Sequence, residues 1–93
     1  MKILVMRVDL RANWVHSLKE KRAVLEKMKV RTKQRYNIAI SEIDHQNVWQ
    51  RTRLAIVTVS SNKQAADREM DHAIAHLESN PEWELLDLYR EYL

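Results

Sequence analysis

Glycine is absent from all 93 residues. No Gly-rich loop can cradle a phosphate against the backbone, so a P-loop or a dinucleotide-binding fingerprint is excluded. Positive-φ positions must fall to residues that tolerate the left-handed region, Asn foremost. Asn13, Asn37, Asn47 and Asn80 all stand where turns or helix ends are expected. Cysteine is absent too, which excludes a disulfide framework, a thiol nucleophile and a cysteine metal site. There is no phenylalanine and one proline. No long apolar run exists either. Met1 to Met6 is interrupted by Arg7 and Asp9, too early for a signal-peptide core or a membrane span, so the expected address is the cytoplasm.

What is present is a pattern that occurs twice. Ser17-Leu18-Lys19-Glu20 and Ser61-Asn62-Lys63-Gln64 both read as capping boxes, in which Ser accepts from the N3 amide and the N3 side chain reaches back. Each follows a strand-like run and opens a helix-like run. Ile3 to Arg11 alternates with period two, with Leu4, Met6, Val8 and Leu10 facing the core and Ile3, Val5, Arg7, Asp9 and Arg11 on the less buried face. The first helix is predicted from Leu18 to about Arg35, with Leu18, Val24, Leu25, Met28 and Thr32 inward, Val30 exposed and Asn37 at its C-terminal end. Strands are expected over 38–44 and 48–60, joined by a turn at 44–47. The inward parity of the second is open between Leu54/Ile56 and Ala55/Val57/Val59. A second helix is predicted over about 62–79, with Ala66, Met70, Ala73, Ile74 and Leu77 inward, stopped by Asn80-Pro81. A last strand covers 84–93. The order βαββαβ is the split βαβ, ferredoxin-like plan: one α/β two-layer sandwich over residues 1–93, with antiparallel strand order 4-1-3-2 and both helices on one face.

This plan hosts unrelated activities, so function must come from particular residues. Residues 1–35 carry +8 and residues 36–93 carry −5, behind a net charge of +3. The split points to an anionic partner or to two copies meeting head to tail. The first helix is rich in Lys and Arg, which read either as a solvated amphipathic face or as a phosphate-binding surface continuous with Arg7 and Arg11. On the second reading the RNA-contacting residues are Arg7, Arg11, Lys19, Lys21, Arg22 and Lys29. Base stacking of the kind seen on RNA-recognition sheets needs aromatics on the central strands. The first strand has none and the third only Trp49 at its start, so any RNA contact is expected to be with the backbone. Trp49, Gln50 and Arg51 form a candidate interface cluster, since Trp and Arg dominate hot spots.

Little else suggests chemistry. His72 and His76 are spaced i, i+4 and Glu69 could join them, but a structural zinc site needs about four ligands and no fourth is evident. Two exposed polar residues are the plainer reading, and no metal or cofactor is expected. Asp44-His45-Gln46 lacks a neighbouring activated nucleophile and reads as turn polarity. The expectation is a protein that is not an enzyme.

Ser17-Leu18-Lys19-Glu20-Lys21-Arg22 after an alternating strand, then Glu42, then Trp49-Gln50-Arg51, then Asp87 and Glu91 resemble the YlxP-like family of small bacterial proteins along essentially the whole chain. The resemblance implies a ferredoxin-like fold and a family with no established activity, whose genes often lie near those for translation initiation and ribosome maturation factors. It brings no catalytic residues. The expected function is therefore a non-catalytic accessory protein touching RNA or the ribosome through its basic N-terminal half. The alternative is a homodimeric protein-interaction module without nucleic-acid binding. Neither involves a membrane or a small-molecule cofactor.

Overall fold

The computed structural model describes residues 1–93. Its elements are β1 (Lys2–Arg11), α1 (Leu18–Arg35), β2 (Ala39–Asp44), β3 (Arg51–Ser60), α2 (Lys63–Glu78) and β4 (Glu84–Tyr92). The strands form one antiparallel sheet in the order β2-β3-β1-β4. This is the expected ferredoxin-like α+β sandwich.

One face of the sheet carries the core. Leu4, Met6, Val8 and Leu10 of β1, Ile40 of β2, and Leu54 and Ile56 of β3 cluster with Leu25 and Met28 of α1 and with Ala66, Met70 and Leu77 of α2. Both helices therefore pack on the same side. The parity of β3 resolves in favour of Leu54 and Ile56, with Thr52 and Thr58 also inward. These buried threonines are tolerated because each hydroxyl has an acceptor: Thr52 donates to Glu42 Oε2, and Thr58 to the Asn37 carbonyl at 2.7 Å.

Several local expectations change. The first helix is capped as predicted, Ser17 Oγ accepting from the Glu20 amide at 3.0 Å, but Glu20 reaches back one residue further, to the His16 amide. The second box is displaced. Asn62, not Ser61, is the N-cap, and its side chain accepts from the Ala65 amide at 2.9 Å. Asn and Ser are near-equal caps, so the position is decided by the strand, which runs through Ser60. The C-cap of α1 is Tyr36, and Asn37 lies just beyond, bridging to Glu69 and Val59. β3 begins at Arg51, so Trp49 precedes the strand.

No asparagine takes a positive φ. The one residue that does is His45, at 64°. Its amide donates to Asp44 Oδ1 at 2.7 Å, and its carbonyl accepts from the Val48 amide and from Lys21 Nζ. The asparagines serve turns through their side chains instead, as where Asn80 Oδ1 accepts from the Glu82 amide at 2.9 Å. A chain without glycine thus needs only one left-handed residue, held by three hydrogen bonds. No helix is long and apolar enough to cross a membrane.

Candidate nucleic-acid interface

The α1 sequence places Lys21, Leu25, Met28 and Thr32 in one register, i, i+4, i+7, i+11, and all four are buried. Lys21 is 0% exposed. Its ammonium meets Glu42 Oε2 at 2.9 Å and the His45 carbonyl at 2.5 Å, while the same carboxylate oxygen accepts from Thr52. A buried ammonium is tolerable only with such partners. Lys21 is thus a bolt joining α1, β2, β3 and the β2–β3 turn, and it is withdrawn from any phosphate-contacting surface. The signal that could have found it was its place in the core register, overridden at the sequence level by its charge.

Arg7 and Arg11 also leave the expected surface. Their side chains stand on the open face of the sheet, opposite the helices, because they share parity with Asp9 rather than with Leu4 and Leu10. Arg7 lies over the Tyr89 ring at 5.3 Å, and Arg11 pairs with Glu84 at 2.9 Å. Nearby, Arg53 Nε meets Asp9 Oδ1 at 2.8 Å and covers it to 5% exposure. The hydrogen bond to Asp9, then its charge, raises the Arg53 pKa above its ordinary value.

Lys19, Arg22 and Lys29 remain together. With Glu26 and Lys33 they follow i, i+3, i+7, i+10, i+14 along one side of α1. Lys29 is half-buried and pairs with Glu26 at 3.6 Å. Lys19, Arg22 and Lys33 are exposed and make no ion pair, and the same holds for Lys27, Arg31 and Arg35 around the helix. Half of the cations elsewhere are ion-paired: Arg11 with Glu84, Arg53 with Asp9 and Asp44, Arg90 with Asp67 and Asp71, and Lys63 with Asp67.

The Trp49-Gln50-Arg51 cluster divides. Gln50 faces inward, its amide donating to the carbonyls of Asn13 and Val15 at 2.8 and 3.1 Å, so it straps the β1–α1 loop to the start of β3. Trp49 is 49% exposed. Arg51 is half-buried opposite Arg11, and its Nε has no partner. His72 and His76 flank the Tyr36 ring, at 6.4 and 5.7 Å between centroids. Glu69, the third ligand the spacing offered, is engaged with the Asn37 amide.

Among known proteins, the chain is 44% identical over 68 residues to the uncharacterized protein YlxP of Bacillus subtilis (strain 168), a match spanning 73% of this chain and 74% of that one. A de novo designed protein, Foldit4, superposes at a TM-score of 0.53 with 9% identity, covering 98% of this chain and 96% of the design, a likeness of fold alone. The polar residues of the Ser17–Arg22 segment, with Glu42 and Gln50, are largely accounted for by architecture: Ser17 and Glu20 as a cap, Lys21 and Glu42 as an internal ion pair, Gln50 as a strap. Lys19 and Arg22 have no such role. Residues 3–90 match the family described as "Protein of unknown function (DUF503)", and the chain belongs to that family.

Proposed function

We propose that this protein is a non-catalytic, cytoplasmic accessory factor that contacts RNA or the ribosome through phosphate groups gripped by the exposed side of α1, chiefly Lys19, Arg22 and Lys33 with Lys29 beside them. The observation that supports this is the contrast in pairing. Six of the eight cations on α1 make no ion pair, against four of the eight on the sheet and α2, and the six are all exposed. Phosphate contacts gain from counterion release, and unpaired cations on a rigid helix need surrender no protein partner to make them. From Lys19 to Lys33 the helix spans about 21 Å, enough to follow several phosphates. Arg7, Arg11 and Lys21 take no part. Retention from a native lysate with and without RNase tests the reading: the expected outcome is RNase-sensitive capture that weakens with salt. Capture unchanged by RNase and by salt overturns it.

A second reading rests on the open sheet face. Ile3, Val5 and Val57 are half-buried there and Val59 is exposed, with no element covering them. A homodimer closing this face is the alternative, and sedimentation that gives a salt-insensitive dimer without RNA affinity favours it.

A further inference from the structure

We propose that the seam between α1 and α2 is a phosphate-binding site, in which Arg31, Gln34, Arg35 and His76 surround the oxygens of one phosphate group. These four residues line a recess of about 370 Å³ with no apolar member. Its position follows from the sequence. Arg31 and Arg35 are one turn apart on the α2-facing flank of α1, and His76 stands on α2 in the last turn before Ser79. A second recess, of about 240 Å³, shares Arg31 and His76 and is bordered by Ser79, Asn80 and Glu82.

Two features suit the recess to an anion. Neither arginine pairs with a carboxylate, and the Gln34 side chain makes no hydrogen bond, so three donor groups without protein partners line the same recess. The histidine is also orientated. Thr32 Oγ1 donates its one proton to the Met28 carbonyl at 2.7 Å, so the 3.3 Å contact with His76 Nδ1 has the ring N–H donating to Thr32. That fixes the tautomer and leaves Nε2 as the free nitrogen, an N–H donor once protonated. The charged and titratable groups around it are Arg31 and Arg35 of α1, Tyr36 at the end of α1, His72 on α2, and Glu82 of the α2–β4 loop beside the adjoining recess. Burial, then Arg35 and Arg31, lower the His76 pKa below its ordinary value. A phosphate carrying about −1.5 to −2 charge at pH 7 offsets both arginines and accepts from protonated Nε2, so its binding and His76 protonation reinforce each other. The site stands apart from the RNA reading, since Lys19, Arg22 and Lys33 lie on the other flank of α1.

The test is an NMR pH titration of the four histidines in inorganic phosphate and in chloride at equal ionic strength. Phosphate is expected to raise the His76 pKa by about half a unit or more over chloride, leaving His16 and His45 unmoved. The double variant Arg31→Ala, Arg35→Ala is expected to lose that difference; it removes exposed side chains without structural partners, so the fold survives. His76→Gln is expected to weaken phosphate binding at pH 6 more than at pH 8. Equal responses to phosphate and chloride, or a difference that survives loss of both arginines, overturn the proposal. A 5′-phosphorylated oligoribonucleotide and its 5′-hydroxyl counterpart then separate a terminal phosphate ester, which shifts His76 only in the phosphorylated form, from free phosphate, where neither oligonucleotide acts. An Arg22→Glu, Lys33→Glu protein that keeps the phosphate response while losing RNA shows the two sites to be distinct.

Discussion

Lys21 Nζ and Glu42 Oε2 lie 2.9 Å apart beneath α1, with the lysine side chain wholly excluded from solvent and the glutamate 16% exposed. Desolvation makes such a pair a poor source of net stability but a costly thing to break, at about 3–5 kcal/mol when one partner is removed. Lys21→Met is therefore expected to destabilise by that amount in urea unfolding. Adding Glu42→Gln should recover a large part, since a neutral amide oxygen still accepts from Thr52 and no unpaired charge remains. A destabilisation below about 1 kcal/mol for Lys21→Met would show that the ammonium escapes to solvent.

The helix caps give a second expectation. Ser17→Ala and Asn62→Ala should each cost about 0.5–2 kcal/mol, because each leaves an N3 amide without its acceptor. Ser61→Ala should stay within about 0.5 kcal/mol, as expected for an exposed residue with no such bond. Thermal unfolding of the three variants decides between Asn62 and Ser61 as the cap.

The contrast between those sites shows what the sequence could and could not convey. Element order and the α2 stripe follow from periodicity, which Leu4 to Leu10 and Ala66 to Leu77 obey without exception of type, and strand order follows from the split βαβ plan that this element order spells. Positions failed where chemistry overrode type. Lys21 occupies a core register but carries a charge, and only the approach of Glu42 from a separate strand explains it. His45 takes the left-handed turn because Lys21 and Val48 hold its carbonyl, a tertiary cause with no local signature. The phosphate-surface set split because strand parity sends Arg7 and Arg11 to one side of the sheet and α1 lies on the other. That parity was legible in the alternation of β1, but its consequence needed the helices placed. Gln50 gives no local hint that it straps a loop 35 residues away.

His76 sets a pH dependence. Its folded pKa lies below the 6.5 of an unperturbed histidine, chiefly through burial and then through Arg35 and Arg31. The unfolded chain therefore binds the proton first, and the folded state loses stability as pH falls through 6.5 toward the lower folded value. Above 6.5 the contribution is constant. His76→Gln should flatten the melting temperature against pH in that window and leave it parallel to the parent at higher pH. A parent and variant that run parallel throughout would mean the ring is as free to protonate as in the unfolded chain.

The basic helix offers the last test. Reversing Arg22 and Lys33 to Glu changes exposed cations that have no ion pair and lie outside the buried register of Lys21, Leu25, Met28 and Thr32. Arg22 and Lys33 are preferable to Lys29, whose link to Glu26 would be disturbed as well. Stability should change by no more than about 0.5 kcal/mol. Phosphate contacts position a protein without reading sequence, so binding should weaken alike on unrelated RNAs. On single strands, the slope of log affinity against log salt should become shallower by about 0.7 for each phosphate no longer gripped, or about 1.4 for the pair. Filter binding at several salt concentrations measures both quantities. A folded double variant that binds RNA and co-sediments with ribosomes like the parent would make α1 a solvated face, leaving the uncovered sheet of Ile3, Val5, Val57 and Val59 as the surface to pursue.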